Sequence, residues 1–219
     1  MILQATNLYR FFHTGDAEII ALRGVGLTVS PGEIVVVMGP SGSGKSTLLN
    51  CLTGLDEPDA GMVTIGDARL SRRPEAERAA LRARWLGILL QAGNLFQHLS
   101  VRDNISLQLQ LTGKRDAGRP QALLESLGIG HRGFALPSHL SGGEVARAGL
   151  AVALAGDPPI LIADEPTAEV DAATESRLLA QFEARRAAGL ATLIATHSEA
   201  LAHRADRILR LNDGALRHD

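Results

Sequence analysis

The sequence predicts an α/β protein with a mostly parallel sheet, an antiparallel β edge and an inserted helical segment. Three observations support this prediction. Glu33–Met38 is a short, almost wholly apolar run rich in β-branched residues, which is typical of a strand covered on both faces. Strand and helix patterns alternate before residue 91 and again after residue 155, as expected of an α/β core. Between those positions the patterns are helical only.

The first ninety residues carry most of the strand patterns. The Pro31-Gly32 pair predicts a turn before the apolar strand, and the glycines of Gly39–Gly44 predict a second turn after it. The predicted elements are strands at Leu3–Phe12, Ala21–Val29, Glu33–Met38 and Met62–Ile65, a helix from Lys45 toward Leu52 that ends near Gly54, a helix at Pro74–Trp85, and a short apolar run at Gly87–Leu90.

The later elements begin with a helix toward Leu111, which opens on Ser100-Val101-Arg102-Asp103 in the manner of a capping box. The Asn212-Asp213-Gly214 turn predicts a closing hairpin. The other predicted elements are helices at Gln121–Leu127 and Gly142–Ala155, a strand at Ile160–Ala163, a helix at Thr174–Ala188, a strand at Ala191–Thr196 and a helix at Ser198–Arg204.

Composition narrows the class of protein. The chain has 219 residues and is 45% hydrophobic, enough for one domain with its own core. Its longest apolar runs are far shorter than a membrane span, and we expect no signal peptide. A net charge of −2 argues against a broad nucleic-acid surface, and the single cysteine, Cys51, fits a reducing compartment. We therefore expect a cytoplasmic protein that does not bind nucleic acid.

A phosphate-binding pattern follows the buried strand. Gly39-Pro40-Ser41-Gly42-Ser43-Gly44-Lys45-Ser46 has a glycine, four residues and then Gly-Lys-Ser, and it lies between a strand and a helix start. Such glycines let backbone N–H groups surround phosphate oxygens, and the helix N-terminus adds partial positive charge. We expect Lys45 to reach the β- and γ-phosphates, Ser46 to bind Mg²⁺ and Thr47 to contribute a hydroxyl.

Two carboxylates end a second apolar strand, at Ile160-Leu161-Ile162-Ala163-Asp164-Glu165. On its own this pattern is also typical of a surface turn. Beside a phosphate loop, Asp164 is expected near Mg²⁺ and Glu165 near the attacking water.

A helix start is the first interpretation of Leu140-Ser141-Gly142-Gly143-Glu144, with Ser141 as N-cap and Glu144 completing a capping box. Two consecutive glycines cost helix stability, so their presence predicts the close approach of another group, such as a phosphate.

With these motifs the chain resembles the ATP-binding cassette (ABC) ATPases along essentially its whole length. Gly39–Thr47 matches the Walker A loop, Leu140–Glu144 the signature motif, with Glu144 where Gln is usual, and Ile160–Glu165 Walker B. Three single residues match in the expected order: Gln91 the Q-loop glutamine, Asp171 the D-loop aspartate and His197 the switch histidine.

The resemblance implies one P-loop NTPase (RecA-like) domain, with its core at residues 1–90 and 156–219 and a helical subdomain at 91–155. It implies a head-to-tail dimer, homodimeric or heterodimeric, in which ATP lies between Walker A of one copy and Ser141–Gly143 of the other. Implied catalytic residues are Lys45, Gln91, Glu165 and His197, and implied Mg²⁺ ligands are Ser46, Gln91 and Asp164. The implied ATP-binding residues are Phe12, Gly39, Pro40, Ser41, Gly42, Ser43, Gly44, Lys45, Ser46, Thr47, Ser141, Gly142, Gly143, Glu144 and Asp171.

Two further features concern the base and the partner. Members of the family stack one aromatic side chain on adenine, and the register of Phe12 fits best, whereas Tyr9 and Phe11 are expected to pack on the strand. Asn94-Leu95-Phe96 has two interpretations of equal weight: a groove for a helix of a transmembrane permease subunit, or packing onto its own helical subdomain.

Details of spacing resemble the macrolide-exporter and lipoprotein-release subgroup. The resemblance implies an ATP-hydrolysing subunit, peripheral on the cytoplasmic face of the cell membrane, that powers export or extraction of a substrate by a membrane partner. The alternative is a non-transport ATPase that drives a membrane protein mechanically in envelope remodelling or cell division. Both use the same cassette, so the residues do not distinguish them.

Overall fold

The computed structural model describes residues 1–15, 17–168 and 170–217. Within them the strands are β1 Leu3–Thr14, β2 Ala17–Val29, β3 Ile34–Met38, β4 Ala60–Ile65, β5 Ala68–Arg69, β6 Leu86–Leu89, β7 Ile160–Asp164, β8 Ala191–Ala195, β9 Arg207–Asn212 and β10 Ala215–Arg217. The helices are α1 Lys45–Thr53, α2 Glu75–Trp85, α3 Val101–Leu111, α4 Arg119–Ser126, α5 Gly142–Leu154, α6 Ala172–Ala187 and α7 Glu199–Ala202, with 3₁₀ turns at Gly130–Arg132 and Pro137–His139.

The larger sheet has the order β10-β9-β3-β8-β7-β6 and is parallel except for β10. All five residues of β3 are buried, and they alternate between two apolar cores. Ile34, Val36 and Met38 face the core that contains α3 to α5, whereas Val35 and Val37 face the core that contains α1 and β1. This alternation follows from the period of two along a strand, and it confirms the prediction of a strand covered on both faces.

The antiparallel β edge is a four-stranded sheet of its own, in the order β2-β1-β4-β5. Both long strands extend beyond the predicted ranges toward their shared hairpin, because pairing between them continues to Thr14 and Ala17. Their register shifts at three places, one of them between Arg10 and Phe11. The two-residue strand β5, at Ala68–Arg69, carries no signal in the sequence.

Helices α3, α4 and α5 and both 3₁₀ turns lie between β6 and β7, so the helical segment interrupts the parallel sheet in chain order. Its caps are the predicted ones: the Ser100 side chain accepts from the Asp103 N–H, and Ser141 with Glu144 forms a capping box. Helix α7 is shorter than the predicted Ser198–Arg204, because Asp206 turns back to the sheet. The Asp206 N–H donates to the Ile34 carbonyl, and the Ile34 N–H donates to its carboxylate, each at 2.9 Å.

Among the described residues, no helix combines the length and apolar character needed to cross a membrane. The parallel arrangement of β3, β7 and β8 brings the carboxyl ends of these strands to one edge of the sheet. Three predicted parts of the site lie at that edge: the phosphate loop follows β3, Asp164 and Glu165 lie at the end of β7, and His197 follows β8.

Candidate functional site

The loop between β3 and α1 leaves backbone donors facing a cleft. Gly42 and Gly44 have φ values of 78° and 102°, in the left-handed region that glycine tolerates best. A Cβ on Gly44 would lie 2.5 Å from the Ala21 carbonyl oxygen, so this position also excludes a side chain. Gly44 is the N-cap of α1, and no side chain caps that helix start. The first N–H groups of α1 are therefore available to an anion.

Lys45 lies across the same loop. Its Nζ donates to the carbonyl oxygens of Gly39 at 2.7 Å and Pro40 at 3.1 Å, which holds the ammonium over the loop. The positive charge and the first turn of α1 thus face the same space. This is the chemistry required to bind a chain of phosphates.

A hydroxyl and a carboxylate meet at the base of the cleft. Asp164, at the end of β7, is only 7% exposed and is hydrogen-bonded to the Ser46 side chain. Burial raises the pKa of the Asp164 carboxyl, against the opposing effects of the Ser46 hydrogen bond and the charge of Lys45. A cation bound beside this carboxylate and hydroxyl would offset the buried negative charge, so the pair favours cation binding.

Glu165 is fixed by two residues that follow β8. Its Oε2 accepts from the Thr196 hydroxyl at 2.9 Å, and its Oε1 lies 3.0 Å from His197 Nδ1. The backbone of Glu165 has φ 47°, which is uncommon for a residue with a side chain and is often found at functional sites. Its N–H donates to the Ala195 carbonyl at 2.8 Å, so the strained residue is also held from its backbone.

These groups line one cleft of about 670 Å³. The predicted residues that line it are Phe12, Gly39, Pro40, Ser41, Gly42, Gly44, Lys45, Ser46, Thr47, Gln91, Asp164, Glu165 and His197. The exception within the phosphate loop is Ser43, which is buried beneath the loop and is not part of the cleft lining. The cleft thus collects loop, carboxylates, glutamine and histidine from four separate parts of the chain.

Phe12 lies at the rim of the cleft with 39% of its surface exposed. Tyr9 and Phe11 instead stack on each other, with ring centroids 6.3 Å apart and planes at 15°, as expected of strand packing. Six further residues line the cleft without having been predicted as site residues: Ile19, Ile20, Ala21, Ala168, Asp213 and Gly214. The turn at Asp213-Gly214 was predicted as a hairpin, but no local signal links it to the phosphate loop.

The signature residues do not line this cleft. Ser141 and Gly142 are exposed at the start of α5, and a Cβ on Gly142 would meet no atom of the chain within 4 Å. The Ser141 Oγ accepts from the Glu144 N–H at 3.3 Å. Asp171 likewise lies elsewhere, as the N-cap of α6, where it accepts from the Thr174 N–H at 2.7 Å.

Glu144 is 8% exposed and engaged within its own subunit. Its Oε2 accepts from the Ser141 N–H at 2.9 Å, and its Oε1 accepts from Arg132 Nε at 2.7 Å. The hydrogen bond from Ser141, followed by that from Arg132, lowers the pKa of Glu144 to about 2. The carboxylate is therefore ionised, paired and part of the capping box.

The donors at the base of the cleft fit Mg²⁺. The ion prefers oxygen ligands and is usually held in nucleotide sites by one or two protein groups plus substrate phosphates. Ser46 and Asp164, which are hydrogen-bonded to each other, and the Gln91 amide supply such oxygens to the cleft. The described residues contain no group of three or more His, Cys, Asp and Glu that could hold a metal ion.

Comparison with known proteins gives the same family. The ABC transporter family model matches residues 22–168. The lipoprotein-releasing system ATP-binding protein LolD 2 of Caulobacter vibrioides is 41% identical over 219 residues, covering 98% of this chain and 96% of the relative. LolD of Legionella pneumophila is 37% identical over 220 residues, covering 99% and 97%. An uncharacterized ABC transporter ATP-binding protein of Methanocaldococcus jannaschii is 36% identical over 219 residues, covering 98% and 97%.

Solved structures agree in fold. A dimeric ATP-binding cassette in a post-hydrolysis state, bound to ADP and Pi, superposes with a TM-score of 0.94 at 30% identity, covering 99% of this chain and 97% of that chain. A dimeric bacterial ABC transporter cassette superposes with a TM-score of 0.92 at 31% identity and the same coverage. The chain belongs to the ABC transporter family, as its ATP-binding and ATP-hydrolysing subunit.

Proposed function

We propose that two copies of the cassette, identical or paired with a related subunit, close on two ATP molecules and that each copy supplies half of each site. The observation that carries this proposal is the separation of the predicted residues into two groups. The phosphate loop and the carboxylates line the cleft, whereas Ser141 and Gly142 are exposed and Gly143 is half-buried at the capped start of α5, outside the cleft. An exposed glycine at a helix N-terminus suits a phosphate brought by another copy.

Within one copy, the role of each cleft residue follows from its chemistry. The α1 N–H groups and Lys45 bind the phosphates, Thr47 adds a hydroxyl, and Phe12 stacks on the base. Ser46, Asp164 and Gln91 would hold Mg²⁺, which would neutralise charge on the phosphates. Glu165 orients and deprotonates the attacking water, and His197 contacts the γ-phosphate.

From the opposite copy, Ser141 and Gly143 donate to the γ-phosphate, and the D-loop Asp171 lies against the neighbouring loop. Glu144 contributes to this surface through the Ser141 backbone, because both of its carboxylate oxygens have partners in its own subunit. Closure then depends on the γ-phosphate. Loss of that phosphate on hydrolysis loosens the dimer.

The proposed division of the chain follows its secondary structure, which is α/β in one part and helical in the other. Residues 1–90 and 156–219 form the nucleotide-binding core, and residues 91–155 form a helical subdomain inserted after the Q-loop. Gln91 at that junction lines the cleft, so its amide is suited to couple the site to the subdomain.

The proposed partner is a transmembrane permease subunit at the cytoplasmic face of the cell membrane, and the proposed substrates are lipoproteins, as the names of the relatives suggest. Two surfaces support docking. Phe96 is 56% exposed, which supports a role in docking, whereas the neighbouring Leu95 is buried in the chain's own core. A separate groove of about 450 Å³ between α2, β6 and the ends of α3 and α5 has a mostly apolar lining that includes Leu111 and Val152.

The direct test is Glu165→Gln. We expect the variant to bind ATP and to form a dimer of doubled mass in light scattering after gel filtration, only when ATP is present. Phosphate release should fall by about 100-fold or more, because general-base groups contribute roughly 10²–10⁴-fold. Glu183→Gln on α6 is the matched control and should keep both turnover and nucleotide-dependent association. Normal hydrolysis by Glu165→Gln would remove Glu165 from its proposed role.

A further inference from the structure

We infer that Arg10 is a positioning residue for the nucleotide base, because it holds the Phe12 ring against the cleft from behind. The guanidinium carbon lies 4.7 Å from the centroid of the Phe12 ring, over its face. Phe12 lines the cleft, whereas Arg10 is not among the lining residues. One face of the ring is thus covered by a cation, and the other is available to a planar ligand. The inference rests on the proposed role of Phe12 in ATP binding.

Arg10 is itself fixed by two carboxylates. Its Nε and Nη2 donate to the two oxygens of Asp56 at 2.9 and 3.0 Å, and its Nη1 donates to Asp59 at 3.1 Å. A bidentate pair of this kind restricts the planar guanidinium to one orientation. The Arg10 side chain is 21% exposed, so solvent screens these pairs only in part. The guanidinium is therefore a fixed surface for the ring and not a mobile surface group.

The Asp59 carboxylate also holds the backbone beside Phe12. Asp59 Oδ2 accepts from the Phe11 N–H at 2.7 Å, and the Asp59 N–H donates to the Tyr9 carbonyl at 2.9 Å. The pairing of β1 with β2 shifts register between Arg10 and Phe11, at the same point. Bulges of this type redirect a side chain locally. Asp59 thus fixes two features that orient Phe12: the irregular backbone segment beside it and the Arg10 guanidinium behind its ring.

This arrangement lowers the cost of base binding. An unsupported aromatic side chain at a rim samples several rotamers and loses that freedom when a ligand immobilises it. Because Arg10 already holds the ring, less freedom is lost when adenine stacks on the open face. Losing a partly exposed cation–π contact should weaken ATP binding by about two- to fivefold. The phosphates bind elsewhere in the cleft, so a ligand without a base should be unaffected.

The experiment uses the full chain with Glu165→Gln, so that ATP is not consumed, and measures binding of ATP and of tripolyphosphate by calorimetry. Arg10→Met should weaken ATP binding two- to fivefold and leave tripolyphosphate binding unchanged. Arg102→Met is the matched control, because Arg102 lies over the exposed Phe134 ring at 5.6 Å, away from the cleft. It should change neither affinity. Phe12→Ala should weaken ATP binding, and adding Arg10→Met to it should have no further effect.

Equal loss of ATP and tripolyphosphate binding in Arg10→Met, or the same loss in the Phe12→Ala background, would overturn the inference, since both point to general damage of the strand. Weakened binding by Phe12→Ala with wild-type binding by Arg10→Met would overturn only the role of Arg10. Wild-type ATP binding by Phe12→Ala would remove the base platform itself and, with it, both the proposed role of Phe12 and the inference.

Discussion

Glu165 and His197 form a pair, with Glu165 Oε1 3.0 Å from His197 Nδ1, although the two residues are 32 positions apart in the chain. The other carboxylate oxygen accepts from Thr196, the residue before His197. Parallel pairing of β7 with β8 brings these residues together, because Asp164 lies opposite Ala195 in the register. The proposed general base is therefore oriented from the neighbouring strand, by two consecutive residues.

The Thr196 hydroxyl is the first test of this arrangement. It is 1% exposed, donates to Glu165 and accepts from the Ser198 N–H at 3.0 Å. We expect Thr196→Val to lower kcat by about ten- to a hundredfold, the value of one hydrogen bond to a charged group, with little change in ATP affinity. Steady-state phosphate release and calorimetric ATP binding measure the two effects. Thr196→Ser should keep most of the wild-type rate; a serine variant as slow as Thr196→Val would show that the hydroxyl alone does not orient Glu165.

The pair of Glu144 and Arg132 predicts a pH dependence of stability. The folded-state pKa of Glu144 is about 2, below its ordinary value of 4.5, so its stabilisation is complete above pH 4.5 and is lost as pH falls toward 2. We expect Glu144→Gln to reduce the free energy of unfolding at pH 7 by about 1–2 kcal/mol. That difference from the wild type should shrink between pH 4.5 and 2. Urea unfolding of both chains at several pH values measures it.

Glu183→Gln, at a side chain 37% exposed on α6, provides the control for removing a surface carboxylate. It should show a smaller difference at pH 7. A deficit in Glu144→Gln that stays constant from pH 7 to pH 2 would mean that the charge of Glu144 does not stabilise the helix start.

Features that depend on residues close together in the sequence were more predictable than features that depend on contacts between distant residues. The caps at Ser100 and Ser141 and the left-handed end of α1 at Gly54 are set by neighbours within four residues, and each was predictable. The cleft lining at Asp213 and Gly214 was not, since it arises from pairing of β9 with β3. The link from Thr196 to Glu165 depends in the same way on the order of the strands. The sequence also gave no sign that Arg132, twelve positions earlier, would pair with Glu144.

Phe96 allows a test of the proposed membrane partner. Its N–H donates to Asn104 Oδ1 at 2.7 Å, which fixes the loop by its backbone and leaves the ring 56% exposed. We expect Phe96→Asp to remain folded and active in basal hydrolysis but to lose co-purification with a permease subunit produced from the same cells. Phe134→Asp, at a ring that is 81% exposed elsewhere, is the control and should retain the complex. Equal retention by both variants would exclude Phe96 from the docking surface.

Gly142 provides the sharpest test of the proposed ATP site shared by two copies, because the space around it within its own chain is empty. A Cβ there meets nothing within 4 Å, whereas one on Gly143 would lie 3.1 Å from Thr174 Oγ1. Replacing a helical glycine by alanine ordinarily adds up to about 1 kcal/mol of stability, so Gly142→Ala and Gly142→Leu should unfold no more easily than the wild type. In the Glu165→Gln background both should nevertheless impair ATP-dependent association, with the larger side chain having the greater effect. Light scattering across an ATP titration measures the association, and thermal unfolding checks the fold. A leucine variant that associates at the same ATP concentration as its parent would mean that no second copy covers this helix start, since a side chain of that size cannot be accommodated between the helix and a bound phosphate.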